Sequence, residues 1–219
     1  MPLDLQKLYA GRFRAADLPI KNAVWKVLCD SFFSRYVRPA DFVVDIGAGH
    51  CEFINNIAAA RKLAVDLNPD VKRFAAPNVE ILNESCLAIT SLADETVDVV
   101  FMSNFLEHLP DKVQVFATLR ECRRLLRKGG RMMILQPNIR FLADVYWDFF
   151  DHHVPLSDRS LVEVLGALDL RVTVCLPRFL PYTTKSRLPK AAFFVRLYLQ
   201  WPLAWRLLGK QAFLVAEKH

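Results

Sequence analysis

The chain has 219 residues, 53% of them hydrophobic and 24% charged, with a formal net charge of +6. That size and composition fit one domain over residues 1–219 with a full-sized core and leave no room for a second. Five cysteines, an odd number with no C-x-x-C pair and no metal-type spacing, argue against a disulfide framework and give no metal set. Reduced thiols point to the cytoplasm, and the N-terminal MPLDLQKLYAGRF lacks an apolar run of signal-peptide length, so the chain is expected to stay in the cell. The positive charge suits nucleic acid, acidic lipid or a phosphorylated metabolite alike.

Residues 18–37 carry Ile20, Val24, Val27, Leu28, Phe32 and Tyr36 at helical spacing, and Pro39 stops the pattern. This predicts an N-terminal helical segment over 1–38 that leads into a sheet. Residues 43–57, VVDIGAGHCEFINNI, then read as strand, glycine turn and a helix over 52–60. Gly47 and Gly49 let the backbone turn sharply and admit a ligand close to peptide N–H groups. Dinucleotides and S-adenosylmethionine (SAM) both use such a turn. The dinucleotide fingerprint needs a third small residue where this chain has Glu52. Asp45 instead puts a carboxylate at the strand end, where it suits a ligand's ammonium group. Residues 62–66 read as a second buried strand ending in Asp66, followed by Leu67; a carboxylate there can accept from both hydroxyls of a ribose. A short third strand, 79–82, is followed by Glu84 and Ser85, suited to an adenine edge. A fourth, 96–102, is followed by Ser103 and Asn104.

Residues 113–127 predict a helix with Val113, Phe116, Leu119, Cys122 and Leu126 inward and its arginines in solvent or at the carbonyl end. Gly129-Gly130 ends it, and 131–135 form a fifth strand. Residues 140–154 are aromatic and close on Asp151-His152-His153. Ligands of a parallel sheet sit outside the carboxyl ends of its strands, so this segment is the expected acceptor site. Ser157 caps a helix to 168, and 170–176 alternate as a sixth strand. Residues 177–190 are basic, with Arg178, Lys185, Arg187, Lys190 and Tyr182. Residues 191–208 then form an amphipathic helix with Phe194, Leu197, Trp201, Trp205 and Leu208 on one face. Its interior charges and Pro202 exclude a spanning helix. Core packing, a homodimer contact or a membrane surface remains for 191–208.

DIGAG (45–49), AVDLNPD (64–70), DVVFMSNFLEHL (98–109) and LLRKGGRMMILQPN (125–138) together resemble, in order and spacing, the motifs of class I SAM-dependent methyltransferases. The resemblance covers about residues 40–140; the family often has a third glycine where this chain has His50-Cys51, and Cys51 is small enough to keep the turn. It implies an α/β fold, a Rossmann-like doubly wound sheet of about seven strands, mostly parallel, with an antiparallel C-terminal strand over 212–216 and helices on both faces. The hairpin before that strand is then expanded by an insert at about 177–210. It implies SAM as cofactor and S-adenosylhomocysteine as product, with Asp45, Gly47, Gly49, Asp66, Leu67, Glu84, Ser85 and Ser103 as cofactor residues. In relatives an N-terminal segment, here Tyr9, Arg12 and Phe13, lies across the cofactor, and the Glu107-His108 pair shapes the acceptor site. Asn104, Glu107, Tyr146, Trp147 and Tyr182 form the expected acceptor pocket, and His152, His153 and His108 are the base candidates. Relatives that methylate base nitrogens carry Pro-Pro-aromatic after strand four, where this chain has Asn104-Phe105-Leu106, so nucleic acid is disfavoured. The expected acceptor is a hydroxyl on a small molecule, a sugar or a lipid-linked glycan, with a peripheral contact at the inner face of the membrane as one possibility. A non-catalytic SAM-binding partner protein and an NAD(P)-binding oxidoreductase are the alternatives.

Overall fold

Runs rich in aliphatic residues become the five strands β1 (Phe42–Ile46), β2 (Arg61–Val65), β3 (Glu80–Leu82), β4 (Val97–Ser103) and β5 (Leu126–Pro137), which run parallel; β1, β2, β4 and the second half of β5 are mostly buried, and β3 at the sheet edge is not. Two more, β6 (Leu170–Leu180) and β7 (Gln211–Lys218), complete a sheet of order β3-β2-β1-β4-β5-β7-β6. β7 slots between β5 and β6 and is antiparallel to both, so β6 points the same way as the parallel strands. The computed structural model describes residues 18–182 and 192–219. Tyr9, Arg12, Phe13, Lys185, Arg187 and Lys190, singled out above, lie outside the described residues.

Strand side chains alternate between faces, and each face has its own core. One gathers Val44, Ile46, Val100, Met102 and Ile134 under α3 (Lys112–Leu125) and α5 (Asp158–Ala167). The other gathers Val43, Phe101, Met133 and Phe213 under α1 (Leu18–Ser31) and α2 (Glu52–Asn56), with α6 (Ala192–Gln200) alongside. Continuous burial on both faces is what a parallel sheet between two helical layers requires. The expected doubly wound fold, with its antiparallel last strand, is the fold observed.

Several boundaries differ from expectation. α2 stops at Asn56 rather than 60, because Ile57 turns extended. α3 gives way directly to β5 at Leu126, so Gly129-Gly130 lies within the strand, beside a register shift against Val97 and Val99, and does not end the helix. The buried stripe of α3 is Val115, Thr118, Leu119, Cys122 and Leu125; Val113 is 77% exposed. The single helix expected over 191–208 is two, α6 and α7 (Pro202–Leu208), because Pro202 lacks the N–H to continue the first and starts the second. No helix among the described residues is long and apolar enough to cross a membrane.

Candidate active site

The carboxyl ends of β1, β2, β4 and β5 meet at the glycine turn. Gly47 has φ +67° and its N–H donates to the Val65 carbonyl (2.9 Å), tying the turn to β2. A Cβ on Gly47 would lie 2.2 Å from the Phe105 ring, so the space over this glycine holds an aromatic side chain from the segment after β4. Sequence alone has Gly47 admit a ligand close to the backbone and does not single out Phe105, whose ring takes up this space. The open side of the turn is at Gly49, where a Cβ would meet nothing nearer than 4.0 Å.

Asp66 stands beside that opening. One carboxylate oxygen accepts from the Gly49 N–H and the other from the Asn68 N–H, both at 2.8 Å. A carboxylate accepts about four hydrogen bonds, so each oxygen keeps one lone pair, aimed and held, for a ribose hydroxyl. The neighbouring Leu67 is 68% exposed, open to a ligand's apolar face. Asp45 is 4% exposed; burial, then Glu52 and Asp66, push its carboxyl well up, and the Ile54 backbone N–H opposes them. A ligand's positive charge would favour its ionised form. Cys51, at φ +58°, keeps the turn where the family often has glycine.

Two expected adenine contacts are engaged locally. The Glu84 carboxylate accepts from the Ser91 hydroxyl and backbone, and Ser85 Oγ accepts from the Leu87 N–H. Asn104 is different. It sits at φ +47°, its side-chain amide donates to Ser103 Oγ (3.1 Å), and its Oδ1 is a buried oxygen with no donor among the described residues. Asn adopts this left-handed conformation more readily than most residues, and its unsatisfied buried oxygen at the strand end could accept a hydrogen bond from a ligand.

A second group of side chains assembles beyond β4 and β5. Glu107 is 1% exposed, and Gln136, the last side chain of β5 before its proline, donates to its carboxylate at 2.8 Å. The Glu107 carbonyl accepts from the His153 and Val154 N–H groups (2.8 and 3.2 Å), which pins the aromatic segment to the turn after β4. His108 Nδ1 faces the Asp151 carbonyl (2.9 Å) and carboxylate (3.1 Å), while its Nε2 faces Glu107 (3.8 Å). Two acceptors fix a proton on Nδ1 and leave Nε2 towards Glu107. Burial alone would lower the His108 pKa; Glu107 and then Asp151 outweigh it and raise it to about 9. Burial raises Glu107. His152 packs against His108 (ring centroids 5.2 Å), Tyr146 (4.7 Å) and Phe149 (5.0 Å).

The structure thus brings His108 and His152 together and leaves the His153 side chain exposed. Tyr146 is fully buried with its hydroxyl on the Val154 carbonyl, so it is a pillar of the segment and not the pocket wall expected. Trp147 is 57% exposed, and Tyr182 meets Phe149 edge-on at 5.6 Å. Asp151 and Gln136 were not among the expected site residues; the Asp-His-His run carried a signal for the first, and nothing local did for the second. Donor atoms of Glu107, His108 and His152 all lie within 4.8 Å of one another, a grouping of metal-ligand composition that the sequence expectation of no metal did not contain.

Residues 44–134 match a family model described as a methyltransferase domain. The chain is 27% identical over 122 residues to a demethylmenaquinone methyltransferase of Alkalihalophilus pseudofirmus, covering 53% of this chain and 50% of that one. It is 28% identical over 143 residues to a ubiquinone biosynthesis O-methyltransferase of Xanthomonas oryzae, covering 60% and 59%. The chain thus spans about half the length of the curated relatives it matches. A crystal structure of a SAM-dependent methyltransferase from Archaeoglobus fulgidus superposes with a TM-score of 0.67 at 22% identity, covering 98% of this chain and 100% of that one, a likeness of fold.

Proposed function

We propose that the chain is a class I SAM-dependent methyltransferase, a reading supported by the methyltransferase-domain match over residues 44–134 and the shared fold, and that it methylates a hydroxyl on a small amphiphilic acceptor. The cofactor supplies, when bound, a methyl group on a sulfonium, open to in-line displacement by an oxygen. The observation that carries the reading is the adjacency of two built sites at one sheet edge. Asp66 holds two pre-aimed lone pairs next to the open Gly49, and a group of buried Glu107, Asp151 and His152 around the half-buried His108 follows closely on the strand end at Asn104. The first fits a ribose, and the orphaned Asn104 Oδ1 fits a donor from either substrate.

An oxygen nucleophile must lose its proton as it attacks, and general-base help is worth about a hundred- to ten-thousandfold. His108, raised to about 9, is protonated at neutral pH and serves as a fixed positive group. His152 is the base in this reading, held by its aromatic neighbours at ring distance from His108. Glu107, Asp151 and Gln136 position the pair. The acceptor side is lined by Phe149, Tyr182 and the exposed Trp147, which suits an apolar or ring-bearing molecule: a sugar, a lipid-linked glycan or a ring related to the quinones that the names of two relatives contain. The methyltransferase-domain match over residues 44–134 speaks against the oxidoreductase alternative. A non-catalytic role is disfavoured by the intact Asp66 and the assembled histidines.

The test is calorimetry with S-adenosylhomocysteine and with NAD, then turnover of labelled SAM against sugar, glycolipid and quinol acceptors. Binding of the first ligand without any turnover would favour the non-catalytic alternative. Dialysis against a chelator is expected to leave turnover unchanged; loss restored by a divalent cation would assign the Glu107–His108–His152 trio to a metal instead of a proton relay.

A further inference from the structure

From residue 177 to residue 210 the chain carries seven basic side chains and no acid. Within that stretch α6 and α7 are fastened to the body by one face. Leu199 and Ala204 are buried, the Tyr198 hydroxyl donates to the Phe179 carbonyl, and Trp205 Nε1 donates to the Tyr198 carbonyl (2.8 Å) while its ring meets Phe32 and Phe179. The other face has no such partner among the described residues. Phe193 is 70% exposed, Phe194 48%, Leu197 52%, Trp201 57%, Leu203 58% and Leu207 76%. Six large apolar side chains exposed within 15 consecutive positions are more than the scattered surface hydrophobics of an ordinary face, and exposed apolar clusters mark interaction sites.

We infer that this outer face of α6–α7 lies on the surface of an anionic lipid bilayer. Charge decides the occupant. Arg196 and Arg206 are exposed on the same two helices, which carry no acid, and an apolar face flanked by such cations matches a bilayer with negative headgroups. A second copy of this chain fits poorly, because a two-fold contact would bring the arginines beside the apolar face against their own copies with no acid on these helices to pair them. Trp201, at the break between the helices, belongs at the headgroup level where an indole has both apolar and polar neighbours. The inference deepens the proposed function and rests on it for its purpose. β6 delivers the chain to the insert at Leu180, paired with Gln211, and Tyr182 then touches Phe149 of the acceptor segment. A bilayer under α6–α7 would bring an amphiphilic acceptor to that edge.

Binding is tested on the full chain without turnover, so failure here is separable from failure of the methyl-transfer reading. Flotation with vesicles of phosphatidylcholine alone and with phosphatidylglycerol added is compared at low and high salt, for wild type, Leu203→Asp with Leu207→Asp, and Arg196→Glu with Arg206→Glu. All four positions are exposed, so both variants should fold and keep S-adenosylhomocysteine affinity. The expected result is partition to anionic vesicles at least tenfold above neutral ones, weakened by salt and reduced at least tenfold in each variant. No partition to either vesicle overturns the inference, and so does equal partition to both. A dimer in light scattering that the leucine variant abolishes, without vesicle binding, overturns it in favour of self-association.

Discussion

In the proposed reading, cofactor binding turns on Asp66. It holds the turn and the ligand together: removing its carboxylate takes away two charge-assisted bonds to ribose, each worth about 1.5–3 kcal/mol, and also frees the Gly49 and Asn68 N–H groups. Asp66→Ala should therefore weaken S-adenosylhomocysteine binding tenfold or more, measured by calorimetry on a variant whose circular dichroism is unchanged; unaltered affinity would remove the ribose assignment. Gly47→Val fails for two reasons the structure separates, a backbone at φ +67° and a Phe105 ring 2.2 Å from the new Cβ. Pairing it with Phe105→Ala should relieve the second penalty only, so partial recovery of melting temperature is expected. His152→Ala should lower turnover at least a hundredfold with little change in cofactor affinity, and higher pH should restore part of the loss. Near-wild-type turnover would discard His152 as the base.

His108 also makes a stability prediction. Its folded value, about 9, lies above the roughly 6.5 of an unfolded histidine. Its contribution is therefore fully present below pH about 6.5 and lost as pH rises through about 9. The unfolding free-energy gap between wild type and His108→Gln should shrink across that window, and a gap constant with pH would show that the charge on His108 is not what its neighbours stabilise.

Among the elements, the aromatic segment is the one whose anchoring decides function. It starts at the short α4 (Ile139–Leu142), capped by Asn138, and ends at α5, capped by Ser157 with a reciprocal bond from Ser160. Asp158 joins the two ends: its carboxylate accepts from Asn138 (2.8 Å) and from Arg140 (2.8 and 2.9 Å). Burial opposes its charge, and Arg140 and Asn138 outweigh burial to leave its pKa lowered. Asp158→Ala should cost about 2 kcal/mol in chemical denaturation and lower turnover by loosening the segment, while S-adenosylhomocysteine affinity holds. α3 shows why a helix face is hard to phase from sequence. The apolar Val113 and Phe116 suggested one stripe, yet the buried stripe includes Thr118, whose hydroxyl finds Cys86 Sγ at 3.4 Å. A satisfied hydroxyl packs like a small apolar group, and the sheet selects the face.

For the whole molecule, a ligand that binds only the folded chain stabilises it by mass action, by about 2.7 kcal/mol at a hundred times its dissociation constant. S-adenosylhomocysteine should raise the melting temperature in a concentration-dependent way, and NAD should not. Local signals carried the fold class: β-branched runs, the glycine turn and an acid at each of the first two strand tips are features a few residues long, and each sits in the structure where its chemistry implied. The placement of Asp45, Gly47, Gly49, Asp66 and Asn104 at the carboxyl ends of their strands was legible for that reason. The grouping of Glu107 and His108 with Asp151 and His152 was not, because Asp151 is 43 positions from His108 and reaches it only when β5 and α4 return the chain to the same edge. Gln136 became a partner of Glu107 only through the β4–β5 register. Trp201 and Trp205 look alike in a helical pattern; the break at Pro202 and the Phe32–Phe179 surface send one ring outward and the other into the core. Sequence by itself determined which short pieces of backbone form and what ligand chemistry the first turn favours, since those depend on neighbours in the chain. Tertiary structure alone decided which side chains share a site and which face is left for a partner, since those depend on contacts between residues far apart in sequence.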